Sequence, residues 1–291
     1  MEWLEQLVTG NKVPIGLWGK QFVTWITDNF AAVFDAITIG LKVPVEGTVD
    51  LLSAIPPFIF IAILAAIAYG LQRSWRLVLF TVIGLLIILN QGLWEEMVET
   101  LVLVVYATAV SLAIGIPIGI LATRRPWIYP VLSPILDMMQ TIPTFVYLVP
   151  TLILFGLGVV PGIIATVIFA VAAPIRLTYL GISEVNKALI EAGESFGCTR
   201  WQLLTKVKLP AAMPTIMAGV NQCIMLSLSM VVIAALVGAS GLGKPVVRSL
   251  NQVNVPLGIE SGLAIVLVAI MLDRMLKQQR RRIATKKPAK G

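Results

Sequence analysis

Residues 138–175 read MMQTIPTFVYLVPTLILFGLGVVPGIIATVIFAVAAPI, and no side chain among them is charged. At about 1.5 Å rise per residue, one helix of that length would measure roughly 57 Å, nearly twice the ~30 Å hydrocarbon core of a bilayer. The stretch must therefore fold back on itself, and the turn is expected at Gly156-Leu157-Gly158-Val159-Val160-Pro161-Gly162. Working outward, no charge lies between Asp50 and Arg73, between Arg76 and Glu95, or from Leu101 to Thr123. Two more apolar spans follow, at about 213–238 and 257–273. Composition agrees: 58% of the 291 residues are hydrophobic and 13% charged, where a soluble domain has about half and a quarter. The expected fold is an all-α integral membrane protein with about seven transmembrane helices.

The first fifty residues carry charges throughout and lack the basic-then-apolar order of a cleaved signal peptide. From Val13 to Leu41 they are amphipathic, with Phe22, Trp25, Ile26, Phe30 and Phe34 near helical spacing. This fits an interfacial helix or one docked on the bundle. The domain reading is thus an extracytoplasmic or interfacial segment 1–50, a membrane domain 51–276 and a basic cytoplasmic tail 277–291. Lys and Arg accumulate on the cytoplasmic side. With the N-terminus outside, every basic residue except Lys12, Lys20, Lys42, Lys244 and Arg248 falls inside. Arg176 is counted there as a loop residue, and the outer loop after the second span holds Glu95, Glu96 and Glu99. The net charge of +7 therefore suits anionic lipid beside the tail Lys277-Gln278-Gln279-Arg280-Arg281-Arg282, and no nucleic-acid partner is expected.

The cytoplasmic loop 181–210 is the most structured of the connections. Val185, Ala188, Leu189 and Ala192 repeat at helical spacing, Gly197 can end that helix, and Thr199 with Gln202 has capping-box spacing for a second. Trp201, Leu204 and Val207 give the second helix an apolar side, and Pro210 stops it or opens the next span. Local periodicity fits equally a docking element for a soluble partner and a helix pair that caps the bundle.

The order Glu191-Ala192-Gly193, Gly197, then Val207-Lys208-Leu209-Pro210 is similar to the EAA loop of ABC importer permeases. Gly193 stands where a second Ala is usual, and Val207 where Ile is. Asp137 to Pro150, Ala173 to Thr178, Ser229 to Ala234, Gly241-Leu242-Gly243 and Leu272-Asp273-Arg274 resemble the branch that carries glycine betaine, proline betaine and choline. The resemblance runs from about residue 45 to 276. It implies a type I ABC importer permease fold in a bacterial cytoplasmic membrane. It also implies a homodimer with two ABC ATPase subunits and an extracytoplasmic substrate-binding protein. The chain itself would hold no cofactor, since ATP and magnesium belong to the ATPase. Glu191, Ala192, Gly193, Gly197, Trp201, Leu209 and Pro210 would couple to that ATPase, while Phe145, Tyr147, Met225 and Met230 are candidate path-liners that suit plain packing as well.

Gly238-Ala239-Ser240-Gly241-Leu242-Gly243-Lys244-Pro245 imitates a phosphate-binding loop, but Pro245 has no hydroxyl to offer magnesium. No histidine exists, and the two cysteines, Cys198 and Cys223, have no companions, so neither a catalytic triad nor a metal site is expected. Pro56, Pro57, Pro117, Pro143, Pro150 and Pro174 lie in the apolar stretches, as kinks or hinges. Gly115 and Gly119, four apart, suit close helix packing. The competing function is an ion-coupled secondary transporter, which needs ionisable residues within spans; Asp137, near a membrane edge, is the one candidate.

Overall fold

The computed structural model describes residues 14–285, with side chains described to residue 276. Residues 1–13, among them Lys12 and Val13, and the end of the tail, 286–291, lie outside the described residues, as do the side chains of Ile15 and of the tail from Lys277. Every described element is helical. In chain order they are α1 (Ile15–Ser53), α2 (Pro57–Gln72), α3 (Trp75–Asn90), α4 (Trp94–Arg124), α5 (Ile128–Thr141), α6 (Thr144–Phe155), α7 (Val159–Ala170) and α8 (Ala172–Ser183). Then come α9 (Lys187–Ser195), α10 (Arg200–Gln202), a π-helical turn (Leu203–Lys208), α11 (Leu209–Ser229), α12 (Val231–Ala235), α13 (Gly243–Gln252) and α14 (Val255–Thr285).

Four helical segments are long and apolar enough to cross a membrane: Trp94–Arg124, Val159–Ser183, Arg200–Ala235 and Val255–Leu276. Two bent pairs, α1 with α2 at 106° and α5 with α6 at 96°, raise the count to six if each is one span. The remaining apolar helix, α3, has 16 residues and a length of about 24 Å, short of the ~30 Å core. By length and composition the described helices thus give four to six spans where seven were expected, and α3 is the expected span that falls short.

The charge-free stretch 138–175 does fold back, at Gly156 and Gly158, and the Gly158 amide donates to the Val237 carbonyl at 2.9 Å. The prolines divide differently from expectation. Pro56, Pro57 and Pro143 stand at helix starts, where a missing N–H costs nothing, Pro174 lies in the first turn of α8, and Pro117 and Pro150 sit inside helices. α1 continues past residue 50 to Ser53. Its Val45 packs with Val102, Leu103 and Ala107 of α4, and Thr48 meets the Tyr106 hydroxyl at 2.8 Å.

The centre of the bundle is α4, α8 and α11. A Cβ on Gly115 would lie 2.7 Å from Pro174, one on Gly119 2.7 Å from Thr178, and one on Gly219 3.0 Å from Leu177. Small residues let these backbones approach closely, as membrane helices require when no hydrophobic force drives them together. At one end of the bundle, the glycine-rich turn after α12 is clasped to α4. The Leu242 amide donates to Thr100 Oγ at 2.7 Å, and that hydroxyl donates to the Glu96 carbonyl. Gly241 there has φ +109° and no room for a side chain beside Thr100. The stretch that imitates a phosphate loop thus serves as a packed turn. Thr100→Val would orphan a buried amide at a cost of about 1–3 kcal/mol. A fall in Tm that Thr100→Ser does not share is the expected observation.

Candidate coupling surface

The opposite end of the bundle gathers the basic loops. Arg124, Arg200 and Lys208 line one open cavity of about 570 Å³ with Glu194, and Arg76 and Arg274 line another of about 500 Å³. The segment 184–208 lies here.

Each turn of that segment has a local cause. Asn186 caps α9, its side chain accepting from the Ala188 amide at 2.9 Å. α9 closes at Phe196, and Gly197 takes φ +75°, the left-handed conformation that only glycine adopts freely. The Cys198 amide then returns to the Gly193 carbonyl at 3.1 Å. The capping box forms as its spacing predicts: the Gln202 amide reaches Thr199 Oγ at 3.3 Å, and the Thr199 amide reaches Gln202 Oε1 at 2.9 Å. Pro210 opens α11 and does not stop the chain, because the π-helical turn before it widens the backbone where a proline ring would crowd it.

The inner side of the segment is anchored. Val185 and Leu204 are buried with Ile182, Ala212 and Ile216, and Ile116, Ile120, Ile190 and Leu209 pack against them. This one cluster joins α4, α8, α9 and α11. Gly193 is buried against Leu203 and Val207, whose side-chain atoms lie 2.8 and 3.3 Å from where a Cβ would be. The outer side differs from the periodicity reading. Val185 precedes α9, whose inward positions are Ile190 and Gly193, so Ala188, Leu189 and Ala192 are left facing out. Leu189 is 50% exposed, Trp201 64% and Phe196 89%. Arg124, at the end of α4, places its guanidinium 5.4 Å from the Trp201 ring centre. Arg124 entered the sequence reading only as a topological charge; its partner lies too far along the chain for any local pattern to link them.

The candidate path-liners scatter. Phe145 and Met225 are exposed, and Tyr147 is partly buried with its hydroxyl on the Met139 carbonyl. Met230 is fully enclosed with Leu148, Ala165 and Val237, a packing position in this chain. Arg176, counted in a loop, belongs instead to α8, inside the continuous segment Val159–Ser183. No group of three or more metal-ligating side chains occurs among the described residues.

Residues 115–285 match the family described as "Binding-protein-dependent transport system inner membrane component". The glycine betaine transport system permease protein OpuAB of Bacillus subtilis is 46% identical over 280 residues, covering 96% of this chain and 98% of that protein. The glycine betaine/proline betaine permease ProW of Escherichia coli is 42% identical over 90% of this chain and 74% of its own length. Among solved structures, an inward-facing MetNI methionine ABC transporter chain superposes with a TM-score of 0.59 at 23% identity. It covers 67% of this chain and 96% of that one, a likeness of fold. The chain belongs to the inner-membrane components of binding-protein-dependent transport systems, the permease subunits of ABC transporters.

Proposed function

We propose that this chain is the translocating subunit of an importer for quaternary-ammonium osmolytes, glycine betaine first among them. It works as a homodimer with two ABC ATPases at the cytoplasmic face and a substrate-binding protein outside. The N-terminus is extracytoplasmic and the C-terminus cytoplasmic, which sets the basic loops inside, as positive segments require. ATP and magnesium are bound by the ATPase.

One observation carries the reading: the segment 184–208 keeps its own core satisfied and still presents Leu189, Phe196 and Trp201 to solvent. Aromatic side chains without cover, on a rigid support, are the anchors that protein interfaces use. Glu191 lies on the same α9, and Gly197 supplies the bend that separates Phe196 from Trp201. Because α4, α8 and α11 share one apolar cluster with this segment, movement of the docked ATPase is passed to three helices at once. The substrate class follows from the named relatives, and a quaternary ammonium is recognised over aromatic faces in the binding protein.

Proteoliposomes carrying the permease, its ATPase and its binding protein test this. Uptake of radiolabelled glycine betaine is expected to require internal ATP and to persist with an uncoupler. Uptake that collapses with the ion gradient and ignores ATP would instead support ion-coupled transport.

A further inference from the structure

The residues immediately outside the charge-free stretch, Asp137 and Arg176, meet. Arg176 Nη2 donates to Asp137 Oδ1 at 2.6 Å. Both lie within helices. Arg176 is roughly 10 Å along the helix from Ser183, and the 25-residue segment Val159–Ser183 is about 37 Å long against a ~30 Å core. An upright crossing puts the pair inside the inner part of the hydrocarbon layer. Charges there are rare and face a bundle interior or a water-filled path, where they mark the route of substrates.

We propose that Asp137 and Arg176 form a substrate subsite on the translocation path, selective for zwitterions that combine a carboxylate with a quaternary ammonium. The inference rests on the function proposed above and deepens it. A carboxylate needs donors in a planar fork, which a guanidinium supplies; a quaternary ammonium has no hydrogen to donate and needs a negative partner. The pair offers both. Asp137 takes only one contact from Arg176, while Arg176 Nε is enclosed without a hydrogen-bond partner among the described residues. Nε itself is closed to a ligand, so an incoming carboxylate meets the exposed part of the guanidinium, where it takes the place of Asp137 and leaves that residue to the ammonium.

A bracing role is already filled by other contacts. Leu136 of α5 packs with Ala172 and Ile175 of α8, with Leu132 and Met139 behind. Tyr129 and Tyr179 stack at 3.6 Å between ring centres farther along the same two helices. The pair is also open, with side chains 30% (Arg176) and 58% (Asp137) exposed, as charges that face a water-filled path are. Asp137 and Arg176 also come one from each of two stretches that resemble the betaine and choline branch.

The test uses the complete transporter in proteoliposomes with radiolabelled glycine betaine. The neutral double variant Asp137→Asn/Arg176→Gln strands no charge and is expected to assemble with its ATPase as wild type does. Its uptake rate is expected to fall about tenfold or more, the value of a charge-assisted carboxylate contact. The exchanged pair Asp137→Arg/Arg176→Asp restores a brace but reverses a directional site, so it is expected to remain impaired. Uptake within twofold of wild type in the neutral pair, or recovered by the exchange, would overturn the subsite alone. Failure of the wild-type transporter to import glycine betaine would overturn the proposed function and the subsite with it.

Discussion

Phe196→Asp is expected to leave the chain folded and inserted while ATP-driven uptake is lost. The side chain is almost wholly in solvent, so its replacement removes no packing from this subunit. Surface changes of that kind alter stability by about 0.5 kcal/mol or less. On the coupling surface proposed above, the same side chain would fill a pocket on the ATPase. There an aspartate must be desolvated without a partner, and losing an aromatic anchor alone costs about 2 kcal/mol or more, near thirtyfold in affinity. Co-purification of the ATPase with the permease measures the docking step, and uptake measures its consequence. Wild-type levels of both would remove Phe196 from the coupling surface. Gly197→Asp acts in two ways. Nothing lies within 4 Å of a Cβ there, but φ is +75°, so an aspartate adds backbone strain, though less than most side chains would, together with a charge on the same surface.

Gly243→Ala should show the opposite pattern, with the fold losing stability while the exposed side chains of the coupling surface are unchanged. A Cβ on Gly243 would collide with the Val231 carbonyl oxygen and sit 2.9 Å from Ala235. The first of these is backbone of α12, which cannot swing aside as a side chain can. Separating α12 from α13 would also strain the turn that Thr100 clasps. Overpacking of this kind costs about 1–3 kcal/mol and sometimes more, several degrees of Tm in a chain of this size. Gly262→Ala is the matched control, because its Cβ would meet nothing within 4 Å and alanine is the better helix former. Thermal unfolding of the purified permease in detergent compares the two. Equal Tm values would mean that α12 and α13 separate without cost.

The stretch 138–175 shows how far sequence reading reaches. Its length and lack of charge were enough to require a reversal, and the glycines at 156 and 158 were enough to place it. What that reversal achieves was not legible. It brings Asp137 and Arg176 together across 39 positions of chain, and no periodicity connects residues that far apart. The loop 184–208 divides the same way. Gly197, Thr199 and Gln202 act on backbone groups within three residues, so those helix ends could be read from spacing, whereas the Asn186 cap came only from the structure. Which face of α9 turns inward depends on Ile182, Ala212 and Ile216, contributed by other helices. The periodicity of Val185, Ala188, Leu189 and Ala192 therefore named the apolar positions but not the side they take.

By itself the sequence determined that the chain is a helical membrane protein, where its apolar stretches lie, which loops are basic, and where the helices of the loop 181–210 begin and end. These properties depend on hydropathy, charge and short-range backbone chemistry, all of which act locally. Only the tertiary structure decided that the glycine-rich turn is a clasp on Thr100, that Arg124 stands over Trp201, and that Leu189 and Phe196 remain uncovered. It also turned Arg176 from a loop charge into half of an ion pair between α5 and α8. Each of these is a contact between residues distant in sequence, and its energy exists only once packing has brought the two sides together.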